Sequence, residues 1–475
     1  ITANDAFKPV TRYFDRITRP EQIIQSFPTA IQTMLDPADC GPACISLSQD
    51  IQGQTFEYPE EFFKEKIHVI RRPRPDDFQI KEAAKVIKSS KNPIIISGGG
   101  VFYSDAMEEL SNFAIKHNIP VTQTVMGYST MKRDHSHYAG QIGALGGKNT
   151  NLIAKQTDLA IAIGTKLGDF TTGSWANFEN ANFKLVCINV SRFDANKHLA
   201  QAIVGDAKIS LKDLSNALGD WKVGEEWNKK SQIELAAWNE HIEKESTPSN
   251  QEIPSYVQVI GAIYKNSDPS DIAVTAAGGL VGEVVQVWRP RELNTHETEW
   301  GFSCMSYEIS GALGIKMANP NKEVISFVGD GSYLLNNTDI YSSVITKNKL
   351  IIIVCDNGGF AVINRLQLFK GGNEYNNLLK SSNTPGLVDV DFAKHAESMG
   401  AKSEHVNSIS DLEEAFKRAK KSDVTYVISI KTHAYQWLEG SAFWDSPTLE
   451  IPTTDENKEA LKLYKEGKSK QRQGV

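Results

Sequence analysis

Two apolar runs in the stretch FVGDGSYLLNNTDIYSSVITKNKLIIIVCDNGGF (residues 327–360) end on tight polar turns, Gly329-Asp330-Gly331 and Asp356-Asn357-Gly358-Gly359, one helical segment apart. Continuous apolar runs of this kind suit strands of a parallel sheet covered on both faces. That architecture constrains function, because ligands of open parallel sheets sit beyond the carboxyl ends of the strands. Both turns fall there and are expected to face one crevice. Glycine lets backbone approach a bulky anion, and a helix expected to start near residues 335–339 would aim free N–H groups at it. Asp330 and Asn357 offer hard oxygen donors of the sort magnesium takes, with water and phosphate oxygens completing the shell. The turns read as a magnesium diphosphate site, beside the plainer reading of ordinary Gly and Asx turns after buried strands.

The same alternation organises the rest of the chain. Its 475 residues exceed one ordinary core, which sets an expectation of about three α/β domains. The fold class is α/β with parallel sheets, the first domain incomplete. Residues 1–60 hold an apolar helical period, a Gly-Pro turn and a strand at 43–47, too little to bury a core. After the linker RRPRPDD, a central domain spans 80–221 with strands in PIIISGGG, IPVTQTV, DLAIAIGT and FKLVCINV, and a helical linker follows at 222–250. A third domain, 251–450, has strands in DIAVTAAGG, EVISFVGDGS, LIIIVCDNGG and VTYVISIKT. The polar tail 451–475 is expected to fray. The opening ITANDAFKPV has no Met and no leader pattern, which sets the expectation of a missing upstream region.

A net charge of -7 leaves no basic excess for displacing phosphate counterions, so non-specific nucleic-acid binding is excluded. No apolar run reaches bilayer length, which argues against a membrane-spanning helix. The five cysteines, Cys40, Cys44, Cys187, Cys304 and Cys355, are odd in number and lie mostly in apolar surroundings. They read as buried thiols in a reducing cytoplasm rather than a disulfide framework or a zinc site.

Gly329-Asp330-Gly331, a spacer of 24 residues and Asp356-Asn357 resemble the signature of thiamine diphosphate (ThDP) enzymes, written GDG, spacer, NN. Asp356 replaces the first asparagine, while Asn357 keeps the ligand position. The resemblance implies that Asp330, Asn357 and the carbonyl of Gly359 bind Mg2+. EWGFSCMSYEISGALG resembles the segment in which a bulky apolar side chain, here Met305, props the coenzyme into a bent shape and a carbonyl, here that of Ser303, accepts from its aminopyrimidine. VTAAGGLVGE is similar to the first strand-end loop of that domain, where Gly278 and Gly279 would approach the coenzyme. Gly329, Gly331, Ser332 and Phe360 complete the implied coenzyme-contacting set. Ser306 stands where most relatives have glycine, and GALGGKNTN (143–151) departs from the family's wording.

The stretches RYFDRITRPEQ, GTKLGDFTTGSWANF, GFSCMSYEISGALGIKMA and DFAKHAESMGA narrow the resemblance to the trihydroxycyclohexanedione hydrolases of myo-inositol catabolism. This implies a ThDP and Mg2+-dependent, cytoplasmic enzyme, a homodimer or homotetramer. It would open 3D-(3,5/4)-trihydroxycyclohexane-1,2-dione with water to give 5-deoxy-D-glucuronate. It also implies that 1–60 is the C-terminal part of a pyrimidine-binding domain and 251–450 the diphosphate-binding domain. The family's catalytic glutamate would lie upstream of Ile1, so no residue of this chain takes that role, and a chain truly starting there is expected to bind coenzyme poorly. Two other readings stand beside this one: an acetolactate synthase-like carboligase, and an inactive fragment serving as a binding partner.

Remaining features keep plain expectations. ISGGGV (96–101) lacks a full dinucleotide fingerprint and reads as part of a structural, nucleotide-free domain. His135 and His137 read as solvated. His296 could line the site or not. Asn364, Arg365 and Gln367 fit hydroxyl recognition and a helix surface equally well.

Overall fold

Strands such as IIIVCD have no polar face, so they form only where both faces are covered. The computed structural model describes residues 2–249, 252–384, 389–438 and 442–472. The described residues form three sheets, of two, six and six strands, in which every pairing is parallel.

The first sheet pairs β1 (Tyr13–Ile17) with β2 (Ala43–Leu47) across the helix Ile23–Leu35. β1 is an addition to the single strand expected there; YFDRI carries two charges in five residues and gives no apolar run. None of the four apolar clusters contains a residue before Ile80, and Phe27, Leu47 and Phe63 lie exposed.

The central sheet comprises β3 (Pro93–Ser97), β4 (Val121–Gln123), β5 (Tyr138–Gln141), β6 (Leu159–Ile163), β7 (Lys184–Asn189) and β8 (Gln201–Val204), in the order β5-β4-β3-β6-β7-β8. At the reversal between β3 and β6 the glycine run serves close packing. The Gly98 N–H donates to the Ile163 carbonyl at 2.9 Å and the Gly100 N–H to the Gly164 carbonyl at 2.9 Å. A Cβ on Gly98 would lie 2.4 Å from the Gly164 oxygen, so only glycine lets these backbones meet.

The third sheet comprises β9 (Ile272–Thr275), β10 (His296–Thr298), β11 (Val324–Gly329), β12 (Ile351–Asp356), β13 (Lys402–Val406) and β14 (Tyr426–Lys431), in the order β10-β9-β11-β12-β14-β13. The chain leaves β9 toward β10 and returns to β11 on β9's other side, so β9 and β11 flank a topological switch point. All six residues of β12 are buried. Each such aliphatic side chain contributes about 1.5–3 kcal/mol by leaving water.

The helix Glu225–Glu245 bridges the two large sheets: its Trp227 indole donates to the Pro93 carbonyl at 2.8 Å, and its Ile242 joins the cluster under the third sheet. The expected boundary at 250–251 lies outside the described residues. The tail expected to fray instead forms the helix Asp455–Ser469, with Thr454 accepting the Asn457 N–H at 3.2 Å. Its apolar Ala460, Leu463 and Tyr464 face a cleft, which gives an otherwise polar helix a side to bury. Beyond it Arg472 donates to the Asn180 carbonyl at 2.7 Å; residues 473–475 of that tail are outside the described residues.

Two smaller expectations are corrected. Only Cys187 and Cys355 are buried, whereas Cys40 and Cys304 are exposed and Cys44 is half-buried; all are free thiols. His137 is buried, with its ring bonded to Asn118 and Ser136, and His135 is bonded to Ser111. Burial and the neighbouring His135 hold His137 down to about 4. Among the described residues no helix is long and apolar enough to cross a membrane.

Candidate active site

The ends of β9, β11 and β12 converge at the switch point. Gly329 closes β11, and a short helix, Asp330–Leu335, begins at once; the helix expected to start near 335–339 follows it as Thr338–Ile345. Asp330 is buried, and its Oδ1 has no hydrogen-bond partner. Burial, and then the charge of Asp356, push its carboxyl up to about 7, opposed by N–H groups of Gly331 and Gly359. The Asn357 amide donates to the buried Tyr256 hydroxyl. That bond fixes the amide's orientation and leaves Asn357 Oδ1 buried without a partner. Gly359 has φ +140°, and a Cβ there would lie 2.5 Å from the Asn377 carbonyl. The Phe360 ring packs on Gly331, where a Cβ would come within 2.6 Å of it, so the two polar turns touch.

Asp356 has a different task. Its Oδ1 accepts the Gly358 N–H at 3.0 Å, and its Oδ2 pairs at 2.7 Å with Lys431, its register partner on β14. Both oxygens are committed, which leaves the orphaned oxygens of Asp330 and Asn357 to any cation. Among the described residues no three His, Cys, Asp or Glu side chains gather as a metal site. One carboxylate, one amide and backbone carbonyls are the lightly charged hard-oxygen set that magnesium takes when phosphate supplies the rest.

Glu308 ties the surrounding loops together. It is 1% exposed, accepts the Ser332 hydroxyl at 2.8 Å and accepts the Ala277 N–H at 3.4 Å. Ser332 in turn accepts the Ser306 N–H at 2.6 Å, so its hydroxyl is engaged within the turn. Ser303 and Ser306, on either side of half-buried Met305, have φ of +53° and +82°. A left-handed serine at 306 accounts for a position at which glycine would be at ease.

Beside these loops lies a cleft of about 370 Å³ lined by Gly278, Gly279, Ser303 and Glu283, by Arg365 from the helix after the second polar turn, and by Trp444 and Tyr464 from the C-terminal segment. A neighbouring hollow of about 380 Å³ abuts Gly359 and Phe360. His296 is buried behind the site, its ring edge-on to Tyr128 at 5.2 Å, and burial holds it down to about 3. Asn364 is buried against Glu374 at 3.0 Å, and Gln367 accepts from Asn377.

Comparison with known proteins agrees with this layout. Residues 80–214 match a family model described as the central domain of thiamine pyrophosphate enzymes, and residues 276–430 match the C-terminal TPP binding domain of the same enzymes. The chain belongs to the thiamine pyrophosphate enzyme family. Thiamine pyrophosphate is ThDP, so the chain is an enzyme of the ThDP class. A protein from Bacillus licheniformis named 3D-(3,5/4)-trihydroxycyclohexane-1,2-dione hydrolase is 36% identical over 489 residues, covering 98% of this chain and 76% of the relative. One of the same name from Clostridium botulinum is 37% identical over 495 residues, covering 98% and 77%. Another from Bacillus subtilis is 36% identical over 468 residues, covering 94% and 73%.

The fold thus places Gly278, Gly279, Ser303, Met305, Gly329, Asp330, Gly331, Ser332, Asn357, Gly359 and Phe360 on the segments that follow β9, β10, β11 and β12, Gly329 being the last residue of β11. Sequence reasoning passed over Tyr256, Glu283, Glu308 and Lys431. Glu308 had a visible signal: a lone acid in the small, apolar helix segment YEISGALG, three residues after Met305.

Proposed function

We propose that this chain holds magnesium and ThDP at the β9/β11/β12 end and catalyses the ring opening of 3D-(3,5/4)-trihydroxycyclohexane-1,2-dione by water to 5-deoxy-D-glucuronate, as a cytoplasmic homodimer or homotetramer in inositol catabolism. The observation that carries the reading is the pair of buried, partnerless oxygens, Asp330 Oδ1 and Asn357 Oδ1, in a chain about a third identical to hydrolases of that name. The metal ligands are Asp330, Asn357 and the Gly359 carbonyl. Gly278 and Gly279 would offer backbone free of side chains to the coenzyme, Met305 would pack against it, and the Ser303 carbonyl would be available to its amino group. Glu308 holds the three loops in register. When bound, ThDP supplies the electron sink that lets a carbon–carbon bond beside a carbonyl break.

The overall reaction adds water across the bond between the two carbonyl carbons, one becoming the acid and the other the aldehyde. The cleft of about 370 Å³ leaves room for the ring. No glutamate of this chain is assigned to coenzyme activation. The test is an assay of the purified protein with the cyclic dione, ThDP and Mg2+, following 5-deoxy-D-glucuronate by mass. Product dependent on both additives supports the reading; coenzyme binding without product from this dione refutes the substrate assignment.

A further inference from the structure

The cleft has more polar equipment than coenzyme binding uses. Glu283, on the helix Gly279–Val287, is 4% exposed. Both of its carboxyl oxygens accept the Leu438 N–H, at 3.1 and 3.3 Å. One turn along the same helix, Gln286 also lines the cleft and is 9% exposed; its amide donates back to the Gly282 carbonyl at 3.3 Å, and among the described residues its Oε1 is buried without a partner. Opposite them stands Arg365, near enough for its charge to act on Glu283. The guanidinium lies 4.2 Å over the Trp437 ring and, among the described residues, donates no hydrogen bond to a side chain or carbonyl. The other walls are aromatic: Phe170 from the central domain stands 5.3 Å from Trp300 and 5.1 Å from Trp444.

An unpaired acceptor and a set of unpaired donors inside an aromatic cleft are costly unless a ligand satisfies them. A polyhydroxylated six-membered ring has the complementary form. Its faces are hydrocarbon and stack on aromatic walls, while its rim carries hydroxyl groups that both donate and accept. A flat dione without hydroxyls would fill the walls and leave the polar groups unmatched.

We infer that Glu283, Gln286 and Arg365 form the subsite that reads the hydroxyl groups of a cyclic polyol ketone, Glu283 and Gln286 accepting and Arg365 donating. The inference rests on the proposed function and goes further, because it names the residues that select a hydroxylated ring over a bare one. Leu438 acts as a positioning contact: its N–H holds the Glu283 carboxyl in place from the C-terminal segment.

The experiment measures equilibrium binding by calorimetry, with Mg2+ and a non-reactive analogue of ThDP present so that no turnover occurs, of the trihydroxylated dione and of unsubstituted cyclohexane-1,2-dione. It uses the full chain and its Glu283→Leu, Arg365→Met and Gln286→Leu variants. Each variant is expected to lose at least tenfold in affinity for the hydroxylated ring and less than twofold for the bare ring, with Glu283→Gln recovering most of the loss. Equal loss for both rings, or no loss for either, overturns the subsite. A ThDP–Mg titration and a thermal melt on each variant check folding. Should burial of the unpaired Leu438 N–H unfold Glu283→Leu, Gln286→Leu decides alone, since its oxygen has no protein partner to lose. A wild-type protein that binds ThDP–Mg but neither dione refutes the substrate reading and the subsite with it. A wild type that prefers the hydroxylated ring, with variants that keep the preference, refutes the subsite only.

Discussion

Asp330 and Asn357 each present a buried oxygen that no group among the described residues satisfies, so their replacement reports on a ligand more than on packing. Asp330→Ala is expected to lower magnesium-dependent ThDP affinity on the order of 10- to 100-fold, measured by calorimetry; unchanged affinity would place the metal elsewhere. At Ser306 the left-handed φ of +82° strains a serine and suits glycine. Ser306→Gly is expected to stabilise the protein by up to about 1 kcal/mol, read from denaturant midpoints, because the strain relieved exceeds the added chain entropy. Glu283 sets a pH dependence. Its ordinary value of 4.5 is raised to about 8 by burial, so between those values the folded protein keeps a proton that the unfolded chain has released. Stability present below about 4.5 is therefore lost as the pH rises through about 8, by up to about 1.4 kcal/mol per unit. Asp330, raised to about 7, adds to the same slope when no metal is bound. Glu283→Gln is expected to flatten the slope of melting temperature against pH, and an unaltered slope would contradict the burial of an ionisable acid there.

Between strands, the Asp356–Lys431 pair joins the ends of β12 and β14. Asp356→Asn keeps an oxygen for the Gly358 N–H and loses the ion pair. With the Lys431 side chain 42% exposed the expected cost is only about 0.5–1 kcal/mol, with ThDP affinity retained. A large loss of affinity would make Asp356 a ligand. The long aliphatic strands β3, β6, β7, β11, β12 and β14 were legible because their apolar runs admit no other placement. β1, β5, β8, β10 and β13 were not. They are three to five residues long and carry charges, Gly or Gln, so neighbouring strands rather than their own pattern recruit them. The helix expected near 335–339 is present as Thr338–Ile345; the short helix Asp330–Leu335 before it was not legible, because Asp330-Gly331-Ser332 reads as a turn. The two polar turns were legible because Asp330 and Asn357 both lie at strand ends in one segment. The Glu308 hub and the Glu283–Arg365 pair depend on loops from distant parts of the chain meeting, which local spacing does not encode.

At the scale of the whole molecule, the C-terminal segment closes the cleft between the two large sheets. The Trp444 indole donates to Asp169 at 2.9 Å, the Asp445 N–H to the Ser174 hydroxyl at 2.9 Å, and Lys370 to the Ser446 carbonyl. Ending the chain after Phe443 is expected to lower the melting temperature by a few °C, on the order of 1–2 kcal/mol. Limited proteolysis should then reach the cleft loops, while magnesium-dependent ThDP binding at β9, β11 and β12 persists; loss of that binding would show that the segment shapes the coenzyme site itself. The most direct test of the central claim is calorimetric titration of ThDP into the wild-type chain, once with Mg2+ and once with a chelator. The account expects saturable binding with the metal, abolished by the chelator and weakened by Asp330→Ala. Absence of binding with Mg2+, or binding indifferent to the metal and to Asp330, would contradict it.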